Sequence, residues 1–114
     1  MKIIILISFL AFGFSQEYPN LGSDNSLDFA TWNIEWFPKN NQTTVNYIVD
    51  IIEQLDLDVI AIQELSDTNM FDQMLDGLPD YTGYYESLWF AGLAYIYKTD
   101  VIDVNDIYEI YTTS

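Results

Sequence analysis

Hydrophobic residues follow two different spacings along this chain of 114 residues. An unbroken apolar run at 59–62, within the stretch 57–64, is bounded by polar residues and is too short for a separate helix. It predicts a strand that is buried on both faces. Residues 27–34 alternate loosely between apolar and polar side chains, and this alternation predicts a second strand.

Between these strands, apolar residues recur every three or four positions, which predicts an amphipathic helix. Thr43 or Thr44 is the expected N-cap. The apolar face of this helix is formed by Val45, Ile48, Val49, Ile52 and Leu55. A strand, a helix and a strand in this order predict a βαβ unit, in which the two strands run parallel and are neighbours in the sheet.

The second half of the chain predicts a shorter helix followed by short strands. Ser66 or Asp67 is the expected N-cap of that helix, which continues through Leu75 and ends before Gly77 and Pro79. Strands are expected at 81–88, 92–98, 101–104 and 107–111. The predicted fold is therefore mixed α/β (α+β), with the order βαβα followed by an antiparallel meander.

Polar residues end both strands of the predicted βαβ unit. Asn33 and Glu35 follow the first buried run, and Gln63 and Glu64 follow the second. Because the carboxyl ends of parallel strands lie at one edge of a sheet, where ligands bind in open α/β folds, we expect these side chains to lie close together. Period-two alternation also places Asn33 and Glu35 on one face.

Composition limits the chemistry available at that edge. The chain has no cysteine and no histidine, so thiolate and imidazole ligands are excluded. It has 18 acidic and 3 basic residues, and its formal net charge is -15. Such a charge repels polyanions and attracts divalent cations. A bound metal must therefore be a hard, oxygen-liganded ion: Mg²⁺, Mn²⁺ or Ca²⁺.

An amide oxygen and two carboxylates can hold Mg²⁺ with water completing its octahedron. The predicted metal ligands are Glu64, Asn33 and Glu35. Taken one at a time, these residues also suit simpler roles: Glu64 suits an acid that ends a strand in solvent, and Asn33 suits a turn or cap. The case for a site depends on both strand ends being polar after buried runs.

The N-terminus has the pattern of a secretory signal peptide. Met1-Lys2 precedes an apolar run at 3–14, and Gly13 and Ser15 are the small residues at positions -3 and -1 of a cut after Ser15. The run is shorter than the roughly 20 residues of a membrane-spanning helix. We expect a signal peptide at 1–15, a flexible leader at 16–26 and a secreted or periplasmic protein. The alternative is a buried first strand or helix.

Three segments in order resemble the N-terminal half of the endonuclease/exonuclease/phosphatase (DNase I-like) family. They are TWNIEWF at 31–37, DVIAIQE at 58–64 and GLAYIYK at 92–98. The WNIEWF form is most similar to secreted bacterial members. The family includes pancreatic-type DNases, apurinic endonucleases, inositol polyphosphate phosphatases and neutral sphingomyelinases. The resemblance implies a four-layer α/β/β/α sandwich, of which this chain would form the N-terminal half.

The resemblance also implies roles for individual residues. Asn33 matches the family's asparagine that orients the metal and the phosphate, and Glu64 matches the principal metal-binding glutamate. Glu35 matches a second acid near the metal in apurinic-type members. Asn33 and Glu64 are thus the predicted catalytic residues, and the implied activity is Mg²⁺-dependent hydrolysis of phosphodiester bonds.

The family's further catalytic residues include histidines, and this chain has none. We therefore expect residues 27–114 to be an incomplete catalytic domain, inactive alone, and one face of its sheet to be exposed. Nucleic acid is the first expected substrate of the whole enzyme, and a small or lipid phosphoester is the second. Two other interpretations stay open: a secreted, acidic, non-catalytic domain that binds cations or a partner, and a small α/β domain without a site.

Overall fold

In a computed structural model of the chain, residues 17–85 and 92–108 are described. They form four strands and two helices that alternate in the first half of the chain. In chain order these are β1 Phe29–Phe37, α1 Gln42–Leu55, β2 Val59–Leu65, α2 Thr68–Asp76, β3 Tyr81–Tyr85 and β4 Gly92–Lys98.

The four strands form one sheet with the order β1-β2-β4-β3. β1 and β2 are parallel neighbours, as the sequence predicts, while β4 is antiparallel to both β2 and β3. The fold is mixed α/β and is consistent with the N-terminal part of an α/β sandwich. The carboxyl ends of β1 and β2 therefore lie at the same edge of the sheet.

The hydrophobic core lies between the helices and one face of the sheet. Both helices contribute to one apolar cluster with the buried residues of β2 and β4. The sheet supplies Ile60, Ile62, Ala94 and Ile96, and the helices supply Val45, Ile48, Ile52, Phe71 and Met74. The helical spacing of the sequence thus identified the buried face of α1 correctly.

The two helices begin differently. Asp67 caps α2, because its carboxylate accepts the N–H of Met70 at 3.0 Å, and this confirms one of the two predicted caps. The prediction of Thr43 or Thr44 as the N-cap of α1 is wrong. That helix begins at Gln42, with Asn41 at its N-cap position, because the Thr44 hydroxyl instead accepts the N–H of Asn40 from the preceding turn.

The largest difference from the prediction follows β4. Residues 101–104, predicted as a strand, form a turn and irregular chain, and no strand is present at 107–108. β2 and β3 occupy both edges of β4, so the chain that leaves β4 has no free edge of β4 to pair with. Residues 86–88 and 109–111 of the predicted strands lie outside the described residues.

The face of the sheet opposite the helices is largely uncovered. Phe29 of β1 and Leu93 and Tyr95 of β4 are more than half exposed. Residues of the irregular segment 102–108 line an open pocket of about 320 Å³ on this face together with Tyr95 and Tyr97. The exposed apolar face expected from the sequence is therefore present on the described sheet.

The predicted signal peptide at 1–15 lies outside the described residues. Residues 17–26 have no helix or strand. They nevertheless bind the end of α1, because the N–H groups of Leu21 and Gly22 donate to the carbonyl oxygen of Leu55 at 3.0 and 3.1 Å. Neither helix in the described part of the chain has the length and apolar character needed to cross a membrane.

Candidate metal site at the carboxyl ends of β1 and β2

The register of the sheet places polar side chains side by side where β1 and β2 end. Asn33 of β1 is paired with Gln63 of β2, which is paired in turn with Leu93 of β4. Paired residues point to the same side of a sheet, so this row lies on the uncovered face. The side-chain amide of Gln63 donates to the Thr31 hydroxyl at 2.9 Å, and this hydrogen bond links β2 to β1 near their carboxyl ends.

Glu64 reaches Asn33 because the backbone departs from strand geometry. In a regular strand Glu64 would point toward the helices, with Ile60 and Ile62. It instead has φ 64°, and the pairing of β2 with β4 shifts register at this residue. Its carboxylate accepts the side-chain N–H of Asn33 at 2.7 Å. The structure thus brings together the two residues predicted to be catalytic.

The end of β1 is irregular in the same way. Glu35 and Trp36 have φ 49° and 57°, and the register with β2 shifts between Asn33 and Phe37. Positive φ is uncommon outside glycine and is found at strained functional positions. Because two such residues follow Asn33, the period-two alternation used to place Glu35 ends at Ile34.

A second connection fixes the irregular end of β1 to the end of β2. Phe37 is fully buried, and its carbonyl oxygen accepts both the hydroxyl and the backbone N–H of Ser66, at 2.6 and 3.1 Å. The irregular segment of β1 between Asn33 and Phe37 is therefore held at both of its ends. This anchorage can maintain an unfavourable backbone conformation in between.

Glu35 is connected to Asn33 through its backbone and to a lysine through its side chain. The N–H of Glu35 donates to the amide oxygen of Asn33 at 2.8 Å. Its carboxylate contacts the Lys39 ammonium at 2.5 Å, and both side chains are more than half exposed. The three predicted ligands therefore lie in one chain of contacts, with Lys39 at its end.

The residues at this edge have the chemistry of a site for a hard cation. Glu64 is half-buried and has no ion-pair partner among the described residues, while Glu35 carries an exposed carboxylate. Mg²⁺ is commonly bound by one or two carboxylates and keeps several waters. In the described part of the chain, no group of three or more acidic side chains is arranged to hold a metal ion. Water would thus complete the shell.

Asn33 has a clear positioning role in this arrangement. Its amide nitrogen donates to Glu64, and its amide oxygen accepts the N–H of Glu35. The two ends of this side chain therefore position the carboxylate of Glu64 and the backbone of Glu35. Whether Asn33 also contributes its oxygen to a cation stays a prediction.

Gln63 lies beside Asn33, as the sequence predicts for the two strand ends. Sequence reasoning missed two other residues that shape the site. Ser66 gave no signal beyond that of a helix cap. Lys39 lies four residues after Glu35, but outside a helix this spacing does not indicate a contact.

Comparison with protein families gives one match. A profile of the Endonuclease/Exonuclease/phosphatase family matches residues 30–112, which cover most of the chain. The chain therefore belongs to this family, as the three segments at 31–37, 58–64 and 92–98 indicate. Searches of curated proteins and of solved structures gave no match.

Proposed function

We propose that this protein is part of a divalent-metal-dependent phosphodiesterase, with Mg²⁺ or Mn²⁺ bound at the carboxyl ends of β1 and β2. The observation that carries the proposal is the 2.7 Å hydrogen bond between Asn33 and Glu64. It joins an amide to a carboxylate that has no ion-pair partner among the described residues, at a sheet edge in a chain of the Endonuclease/Exonuclease/phosphatase family.

Each residue has a role in this proposal. Glu64 and Glu35 supply carboxylate oxygens to the cation, and Asn33 positions the carboxylate of Glu64 and the backbone of Glu35. When bound, the cation polarises a phosphoryl oxygen and stabilises the leaving oxygen of the ester. Holding Glu64 by a hydrogen bond before the cation binds reduces the reorganisation that binding requires.

The substrate class is an ester of phosphoric acid, and we propose nucleic acid first. The net charge of -15 disfavours a polyanion unless a basic surface is supplied elsewhere, so a small or lipid phosphodiester is the second candidate. We also propose that the protein is secreted, which is supported by the basic start and short apolar run of residues 1–15.

Mn²⁺ binding to the full chain, measured by electron paramagnetic resonance, tests the site. We expect Glu64→Gln to weaken Mn²⁺ binding by about tenfold or more, since loss of groups around a metal costs about 10- to 100-fold in affinity. The matched control is Glu53→Gln, which removes the same charge from an exposed position of α1.

The control also separates the proposal from the alternative of a non-catalytic acidic domain. If the scattered acids of the surface bind cations diffusely, Glu64→Gln and Glu53→Gln will weaken Mn²⁺ binding equally. Equal effects would show that the site assignment is wrong.

A further inference from the structure

The edge of the sheet holds one cation of the protein's own, the ammonium of Lys39. The chain has only three basic residues, Lys2, Lys39 and Lys98. Lys2 lies outside the described residues. Lys98 is bound by Asp56 and Asp58 at the opposite end of the sheet. In the described part of the chain, Lys39 is therefore the one basic side chain at the candidate site.

Lys39 contacts the candidate site through Glu35, whose side chain is exposed to solvent. The side chain of Glu35 is 70% exposed and its carboxylate contacts Lys39, whereas its backbone N–H donates to Asn33. Glu35 and Trp36 have positive φ values in the irregular segment of β1, which is held at both of its ends. The Glu35 side chain can thus change partners by rotating, without moving the backbone that orients Asn33.

We propose that Glu35 and Lys39 form an exchange pair, an ion pair whose two members separate to bind ligands. Glu35 binds a divalent cation, and Lys39 binds a phosphate group. A divalent cation bound at Glu64 takes the carboxylate of Glu35 in place of the lysine. The released ammonium then binds the oxygens of a phosphate group on the substrate. This inference rests on the proposed function, because it requires a cation at Glu64.

The strength of the pair suits an exchange. Ion pairs between exposed side chains contribute little, because water screens the charges and both side chains lose freedom. A divalent cation carries twice the charge of the ammonium it replaces and is held at the same time by Glu64. The freed ammonium lies beside a newly positive centre, so a phosphate anion that contacts both offsets the repulsion between them.

The first test substitutes Lys39 and follows two ligands with opposite charges. We expect Lys39→Met to strengthen Mn²⁺ binding about two- to fivefold, which is the range that exposed ion pairs contribute. With Mn²⁺ bound, the affinity for inorganic phosphate should fall about three- to tenfold, because a charge-assisted contact is lost. Mn²⁺ is followed by electron paramagnetic resonance, and phosphate by calorimetry.

A matched control removes the contribution of net charge. Gln73→Glu, at an exposed position of α2, changes the net charge by the same one unit as Lys39→Met. If the two variants change Mn²⁺ or phosphate affinity equally, the exchange is overturned. Both variants alter exposed side chains, so both are expected to fold.

The second test asks whether Lys39 acts through Glu35. In the Glu35→Gln background, Lys39→Met should no longer strengthen Mn²⁺ binding beyond its charge control. If Lys39→Met still strengthens Mn²⁺ binding in this background, the exchange is overturned, and the long-range electrostatic field of Lys39 is the cause. Weaker Mn²⁺ binding in Glu64→Gln, together with no specific effect of Lys39→Met, would overturn the exchange alone. Equal effects of Glu64→Gln and Glu53→Gln would overturn the proposed function.

Discussion

The two ends of the sheet use carboxylates in opposite ways. At the end where β1 and β2 begin, Asp58 is buried, accepts the N–H of Asp28 at 2.9 Å and lies 3.4 Å from Lys98. The Lys98 ammonium also contacts the Asp56 carboxylate at 2.7 Å. At the end where β1 and β2 finish, Glu64 has one hydrogen bond and, within the described chain, no cationic partner.

The backbone differs between the two ends as well. Five non-glycine residues of the described chain have positive φ, and three of them, Glu35, Trp36 and Glu64, lie at the candidate site. The other end has one, Asp56, at the C-cap of α1, where the left-handed conformation commonly ends a helix. Positive φ values that are not required to end a helix thus occur beside Glu64, the carboxylate bonded by Asn33.

A cleft at the Lys98 end shows why acidity alone does not define a site. Its volume is about 360 Å³ and it is lined by five aspartates, but Lys98 also lines it. The ammonium forms ion pairs with two of these aspartates, Asp56 and Asp58. We conclude that the Lys98 end stabilises the fold, while the Glu64 end keeps a carboxylate available for a ligand.

The largest effect on the free energy of unfolding is expected at the Lys98 end of the sheet. Asp58→Ala should lower the free energy of unfolding by about 2–4 kcal/mol, because it removes the buried acceptor of the part-buried Asp28 N–H and an ion-pair partner of Lys98. Urea unfolding measures this loss. Asp72→Ala, at an exposed position of α2, should change stability by less than about 0.5 kcal/mol.

The same variant also tests the separation of the two ends. Where Asp58→Ala remains folded, its Mn²⁺ affinity should equal that of the unaltered chain. A loss of stability no larger than that of Asp72→Ala would contradict the structural role of Asp58.

A smaller effect of opposite sign is expected at the candidate site. Glu64→Gly should raise the free energy of unfolding by about 0.5–1 kcal/mol, because glycine adopts positive φ without steric cost. It should also abolish specific Mn²⁺ binding. Thermal or urea unfolding and a Mn²⁺ titration on one preparation give both results.

Glu53→Gly is the control for this glycine substitution. In the middle of a helix, glycine should instead destabilise the protein by about 1 kcal/mol. If Glu64→Gly destabilises the protein to a similar extent, the backbone at Glu64 is not strained, and the comparison between the two ends fails.

The smallest effect concerns pH at the Lys98 end. The hydrogen bond from Lys98 holds the pKa of the Asp56 carboxyl below its usual value of 3.8, against a smaller opposing effect of burial. Burial lowers the pKa of the Lys98 ammonium, but its bonds to Asp56 and Asp58 raise the pKa overall. A carboxyl whose pKa is lower in the folded than in the unfolded chain stabilises the fold at pH values above its unfolded pKa. This stabilisation is lost as the pH falls through the folded pKa.

We therefore expect the stability difference between the unaltered chain and Asp56→Asn to be greatest at neutral pH. It should shrink as pH falls below about 4, and again as pH rises above about 10.5 through the raised pKa of Lys98. The urea midpoint of both chains, measured from pH 3 to 11, tests this. A difference that does not change with pH would mean that the ion pair contributes nothing.

Much of the fold could be predicted from local patterns, because each depends on neighbours in the chain. The spacing of Val45, Ile48 and Ile52 identified the buried face of α1, and β4 has the predicted limits of Gly92–Lys98. The predicted strand at 101–104 was wrong: β4, the strand that precedes it, already pairs with β2 on one edge and with β3 on the other. The order of strands in the sheet decides this pairing, and it does not appear in local composition.

The candidate site was predicted in part. The sequence placed Asn33 and Glu64 at one edge, and the 2.7 Å contact agrees with this placement. Alternation within β2, however, would have turned Glu64 toward the helices. The shift of register at Glu64 and its positive φ reverse that direction, and neither is visible in the order of apolar and polar residues.

The sequence by itself determined the family, the βαβ start and the hard, oxygen-based chemistry of any bound metal, because these follow from residue types and their spacing. Only the tertiary structure decided which acids have partners. Lys98 forms ion pairs with Asp56 and Asp58, and Lys39 forms one with Glu35 beside the irregular end of β1, while the Glu64 carboxylate accepts a hydrogen bond from Asn33. These pairings depend on the register of the strands and on where the backbone leaves regular geometry, and both are set by contacts between residues distant in the chain.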